Sequence, residues 1–106
     1  VSGRPSREKG ARGELEVAHI LKSWGFDCHR TPNSGGLFIP GDIVGVEGYS
    51  IEVKRTETVR MPAWQRQAQA DCPLGASPVV AWRSNRTEWW AATPLQDFML
   101  LLKARP

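Results

Sequence analysis

The order of sequence periodicities predicts an α/β fold, with helices flanking a central mixed five-stranded β-sheet. Three observations carry this. Apolar residues at helical spacing open, interrupt and close the chain, and five short β-rich stretches fall between those helical segments. The 106 residues, 41% of them hydrophobic, suffice for one compact domain without disulfide or metal support. No internal repeat, low-complexity tract or linker divides the chain, so residues 1–106 read as a single domain with a basic arm at about 1–9.

From about Glu8 to Trp24, the residues Ala11, Leu15, Val17, Ala18, Ile20, Leu21 and Trp24 recur at helical spacing, and Gly25 supplies a stop. FDCHRT then alternates as a short strand, and PNSGGLFIPG is a loop by its Pro, Asn, Ser and Gly content. DIVGVEGYSIEVKRT holds two short strands around a turn at Glu47-Gly48. MPAWQRQAQAD has Pro62 in its first turn and helix formers after it, predicting a second helix that stops before Pro73. SPVVAWRS and TEWWAAT flank Asn85-Arg86 as a hairpin, and TPLQDFMLLLKAR opens a last helix with an expected capping box of Thr93 and Gln96.

The longest apolar run is FMLLL, far short of the roughly 18 residues of a membrane span. Neither a membrane segment nor a signal peptide is expected; the chain starts at Val1 rather than Met, so at least an initiator residue is expected ahead of it. Cys28 and Cys72 sit in no metal-binding spacing and are expected to be two buried thiols of a cytoplasmic protein. His19 and His29 have no third ligand near them in sequence, which argues against zinc. Arg4, Arg7, Lys9 and Arg12 stand against Glu8 alone, and that segment holds the whole net charge of +3. Such an arm suits a polyanion, most often nucleic acid; the plainer reading is a frayed, solvated terminus.

Two carboxylates do not fit a purely structural reading. On the first helix, Glu14 projects into the middle of the apolar arc, where a buried charge is costly unless it meets a cation. The alternative is a side chain that reaches solvent and serves the helix dipole. The second involves the turn. A two-residue loop at Glu47-Gly48 places Asp42 opposite Val53. A three-residue loop, with Gly48 left-handed, places Asp42 opposite Glu52. The latter sorts Ile43, Tyr49, Ile51 and Val53 to one face and Asp42, Ser50, Glu52 and Lys54 to the other, so it is the expected register.

Directly opposed carboxylates repel by on the order of 3 kcal/mol at about 5 Å in an effective dielectric near 20. Stability alone does not select that arrangement. A divalent cation removes the conflict, and oxygen ligands from Asp42, Glu52 and the Val53 backbone carbonyl suit Mg²⁺, with Mn²⁺ expected to substitute. Lys54 on the same face is placed to orient or deprotonate a water and to stabilise charge on a phosphoryl group. Glu14 is expected to reach the same cation from the helix, directly or through water.

Asp42, then Glu52-Val53-Lys54 on the next strand, preceded by the helical Glu14, resembles the PD-(D/E)xK nuclease superfamily. More narrowly, KGARGELEVAHILKSWGFDCHRTPNSGG…GD…IEVK is similar to archaeal-type Holliday junction resolvases, including versions carried by phages, over roughly residues 9–70. The resemblance implies a restriction-endonuclease-like fold and a metal-dependent site of Glu14, Asp42, Glu52 and Lys54. It also implies a role in cleavage for Ser34. Gly41 departs from the pattern, which has proline before the aspartate; the departure is expected to be harmless.

The implied activity is a Mg²⁺-dependent endonuclease that cuts opposed strands of four-way junctions in branched double-stranded DNA as a homodimer, with no small-molecule cofactor. Arg4, Arg7, Lys9, Arg12, Arg30, Arg55, Arg60 and Arg66 are the candidate phosphate contacts. Gln65, Gln67 and Gln69 are weaker candidates for positioning DNA or water. Of the five tryptophans, Trp82, Trp89 and Trp90 are expected in the core or a dimer contact rather than stacked on bases. Two other functions stay open: a related endonuclease acting on flaps, nicks or duplex, and a non-catalytic module that binds DNA junctions.

Overall fold

A computed structural model describes residues 3–32 and 41–106, with side chains from Glu8 onward. The expected order holds: α1 (Gly3–Ser23), β1 (His29–Arg30), β2 (Ile43–Val44), β3 (Tyr49–Arg55), α2 (Met61–Asp71), β4 (Ser77–Arg83), β5 (Trp90–Ala92) and α3 (Leu95–Ala104). The strands form one sheet in the order β1-β2-β3-β4-β5. It is mixed because α2 carries the chain from β3 back to the start of a parallel β4, while the other neighbours pair antiparallel.

Each face of the sheet has its own core. Against α1, Ile43, Ile51 and Val53 bury with Val17, Ala18 and Cys28. Against α2, Val80 buries with Trp64 and Ala68, and Met61, Trp82 and Ala92 pack around them. β3 runs between the two layers, so Ser50, Ile51, Glu52 and Val53 are all buried although they alternate in direction. Among the described residues no helix is long and apolar enough to cross a membrane.

Several expectations are corrected. The arm at 1–9 is helical from Gly3, because Pro5 falls in the first turn, where a missing N–H costs no helix bond. The apolar arc of α1 is narrower than its sequence suggests. Val17 and Ala18 bury, whereas Leu15, Ile20 and Trp24 remain exposed. The capping box of α3 does not form. Pro94 is the N-cap, with no side-chain bond, and the Thr93 hydroxyl instead donates to the Pro78 carbonyl on β4 at 2.8 Å. The strands expected at FDCHRT and TEWWAAT shorten to β1 and β5.

Candidate active site

The turn between β2 and β3 sets the register. The Tyr49 N–H donates to the Val46 carbonyl at 3.2 Å, and Gly48 holds φ +85, which a side chain would resist. Ile43 then pairs with Ile51, and the same register carries Asp42 opposite Glu52, as the three-residue loop requires. Asp42 is held at three points. Its N–H donates to the Ile51 carbonyl at 2.7 Å, its carbonyl accepts from the Thr31 N–H at 2.9 Å, and its Oδ2 accepts the Val53 N–H at 2.7 Å. Its carboxylate lies close enough to Glu52 to act on that side chain's charge.

Glu52 is only 4% exposed. Burial, then the adjacent negative charge of Asp42, then their shared hydrogen bond push its carboxyl group up to about 7; Lys54 opposes the shift and Asp71 adds to it. The pair therefore holds a proton that ordinary carboxylates lose well below neutrality. A cation delivered to the two oxygens replaces that proton as the source of positive charge.

Lys54 projects from the same face of β3 toward α2, where its Nζ donates to Gln67 Oε1 at 2.7 Å. Gln67, only a weak candidate from the sequence, is thus a direct partner of Lys54. Nothing in the 13-residue separation announces the contact; it follows from the β3–α2 crossover laying the helix over the polar face.

Glu14 comes from a different element. It projects from α1, which covers the opposite face of β3, and its Oε1 accepts from Arg30 Nε at 2.9 Å. The cation that makes its placement affordable is thus a guanidinium. Among the described residues, no group of three or more His, Cys, Asp or Glu is arranged to hold a metal. Ser34 lies outside the described residues.

The candidate phosphate contacts divide in the same way. Arg30 is tied to Glu14. Arg55, mostly buried, donates to Asn85 Oδ1 and pairs with Glu57 at 3.6 Å, and Lys9 pairs with the same Glu57 at 3.7 Å. Arg12, Arg60 and Arg66 are exposed; the side chains of Arg4 and Arg7 lie outside the description. The tryptophans serve packing in part. Trp82 stacks at a tilt on Trp64 with ring centroids 6.2 Å apart, Trp89 lies under Arg83, and Trp90 is exposed. Both cysteines are free; Cys28 is buried as expected, whereas Cys72, at the end of α2, is only half-buried.

A mixed five-stranded sheet between helices, with Asp42 opposite a Glu-x-Lys strand, defines a nuclease of the restriction-endonuclease-like, PD-(D/E)xK class. Over residues 5–105 the chain matches the family described as phage putative PDDEXK endonuclease, and it belongs to that family. It is similar to Protein D14 of Escherichia phage T5, with 24% identity over 119 residues covering 90% of this chain and 74% of that protein. Among solved structures it is similar to Hjc, a Holliday junction resolvase from the archaeal hyperthermophile Archaeoglobus fulgidus. That match has a TM-score of 0.61 and 27% identity, and it covers 82% of this chain and 78% of Hjc.

Proposed function

We propose that this nuclease is a structure-selective DNA endonuclease that resolves four-way junctions, cutting opposed strands by Mg²⁺-dependent phosphodiester hydrolysis as a homodimer in the cytoplasm of an infected cell. The observation that carries the chemistry is the buried Asp42–Glu52 opposition, with Lys54 two residues further along the same strand face. The junction reading is supported by the similarity to Hjc.

The residues fit a hard divalent cation. Glu52 is buried beside a second carboxylate and raised to about 7, so its charge lacks sufficient compensation from the protein alone. Asp42 and Glu52 would hold the ion with the Val53 carbonyl. Bound there, it would supply charge neutralisation at the phosphate and lower the pKa of a water. Glu14, whose Oε1 accepts from Arg30, is the further candidate ligand, directly or through water.

The chain's own groups account for the rest. The Val53 N–H holds one Asp42 carboxylate oxygen, Oδ2, on the backbone of β3. Gln67 holds the Lys54 ammonium on the polar face, where it is placed to stabilise the extra negative charge as water attacks phosphorus and the bond to the leaving oxygen breaks. Exposed Arg12, Arg60 and Arg66 would hold the backbone without reading sequence.

The test is cleavage of four-way junction, flap, nicked and linear duplex DNA, each with Mg²⁺ or EDTA, by the wild type and Glu52→Ala. Junction-selective cutting that needs both Mg²⁺ and Glu52 is expected. Equal cutting of all four substrates overturns junction selectivity, and activity that survives EDTA or the substitution overturns the metal site.

A further inference from the structure

We infer that the Glu57 carboxylate occupies a binding site for a DNA backbone phosphate and is displaced from it when substrate arrives. The inference rests on the proposed DNA substrate and goes beyond it by naming a contact and the group that guards it. Glu57 sits in the connection from β3 to α2, its side chain half open to solvent. Donors from three other places in the fold converge on its Oε1. The Asn85 N–H, in the turn between β4 and β5, donates to it at 2.7 Å; Arg55 Nη1, at the end of β3, lies 3.6 Å away, and Lys9 Nζ, on α1, 3.7 Å away.

Local structure places each donor. A Cβ added at Gly13 would lie 2.7 Å from Arg55 Cβ, so a glycine is needed for α1 to settle this closely on β3. Lys9 stands one helical turn before Gly13 on the same side and is thereby carried to the end of that strand. The turn at Ser84–Thr87 is fixed by the Thr87 hydroxyl, which accepts the Ser84 N–H at 3.1 Å and donates to the Ser84 carbonyl at 3.0 Å, with Arg86 left-handed at φ +62. Asn85, inside this turn, holds Arg55 as well: its Oδ1 accepts from Arg55 Nη2 at 2.8 Å.

Glu57 fills the place incompletely. Two cations face one carboxylate, both ion-pair distances exceed hydrogen-bond length, and Arg55 Nη1 is buried with no hydrogen-bond acceptor. Half-exposed pairs of this kind add little to stability, so the carboxylate is easily displaced. A phosphodiester brings the same single negative charge on two free oxygens, which together accept from a guanidinium and from a backbone N–H. The position suits a DNA strand. Arg55 follows Lys54 on β3, so the site lies at the same end of the strand as the proposed catalytic ammonium. Arg4, Arg7 and Arg12, close to Lys9 in sequence, continue the basic character along α1, which a long polyanion uses and a free phosphate does not.

The test is binding of a labelled four-way junction and a labelled linear duplex, followed by fluorescence anisotropy in EDTA over a range of salt. Glu57→Gln keeps an oxygen for the Asn85 N–H and removes only the charge; it should bind both DNAs about three- to tenfold more tightly at low salt. Lys9→Gln should weaken both about threefold and lower the salt slope by about 1. Arg55→Gln should weaken both about tenfold and, combined with Glu57→Gln, abolish the gain. Should Arg55→Gln fail to fold, the surface change Lys9→Gln gives the same combination, in which the gain should shrink at least about twofold. Glu88→Gln, which removes another exposed carboxylate, should alter affinity less than about twofold. Affinity in Glu57→Gln equal to or weaker than the wild type overturns the inference, as does a gain that persists undiminished in the combined variants or that Glu88→Gln reproduces. Affinity reports this site and cleavage reports the nuclease, so DNA that is bound but not cut, or junction and duplex bound and cut alike, would count against the proposed function and not against the Glu57 site.

Discussion

Asp42, the residue ahead of β2, sits beside Glu52 of β3, and the backbone N–H of Val53 pins the Asp42 carboxylate in place at 2.7 Å. The fold thus fixes one negative group beside a second that cannot move into water. This arrangement opposes folding whenever both are ionised, and the same property makes it a receptor for positive charge.

Stability of the metal-free protein should therefore fall as pH rises through neutrality. An ordinary glutamate carboxyl titrates near 4.5, and in the folded chain Glu52 is raised to about 7. Below the lower value both states hold the proton and the folded state keeps its full advantage. Between the two values the unfolded chain loses the proton first, and by pH 8 about 3 kcal/mol has been lost. Urea unfolding in EDTA should show this decline from pH 5 to pH 8, and Glu52→Gln should flatten it. Mg²⁺ should restore the wild type at pH 8 and leave Glu52→Gln unchanged. An identical slope in wild type and variant would sink the assignment.

Asp42→Asn separates charge from geometry. The amide oxygen can still accept the Val53 N–H, so the strand pairing should survive, while the repulsion on Glu52 is relieved. Metal-free stability at pH 8 is expected to rise by on the order of 1 kcal/mol. Single-turnover cleavage with Mg²⁺ should drop by at least about a thousandfold, because the cation loses a charged ligand. Retained cleavage would remove Asp42 from the site.

Gln67 should act through Lys54 alone. Lys54→Ala is expected to reduce kcat by at least about a hundredfold, and Gln67→Ala by about tenfold with KM little changed. The double variant should be no slower than Lys54→Ala, since without the ammonium Gln67 has nothing left to position. Gln67→Glu should keep Lys54 in place by an ion pair and so retain most of the wild-type kcat. Additive losses in the double variant would show that Gln67 touches DNA independently.

The parts of this site that were legible in sequence are those governed by short-range rules. Gly48 sets a turn, the turn sets a register, and alternation along Ser50–Lys54 then sorts the faces. What stayed hidden depended on distant partners. Glu14 was recognised as a charge in need of a cation, but only the packing of α1 across β1 makes that cation Arg30. Thr93 has the right sequence context for a cap, and a carbonyl on β4 claims its hydroxyl instead. Leu15, Ile20 and Trp24 follow the helical period, yet of that arc only Val17 and Ala18 are buried against the sheet.

Gly41 offers the sharpest test of how the chain delivers Asp42. The related pattern has proline at this place, so restoring it looks conservative. The backbone excludes it: Gly41 holds φ +78, whereas proline is confined near −65°. A Cβ built there also comes within 3.2 Å of both the backbone N and O of Ile51, atoms of the strand that Asp42 must pair with. Gly41→Ala is expected to cost about 1–2 kcal/mol from the left-handed conformation alone. Gly41→Pro should cost more, because it must change φ and so swing Asp42 off the bond its N–H makes to the Ile51 carbonyl. Cleavage should fall with stability in that variant, and the Glu52-dependent pH slope should shrink as the two carboxylates separate. A Gly41→Pro protein as stable and active as the wild type would show that the positive φ is dispensable and that Asp42 can reach Glu52 by another path.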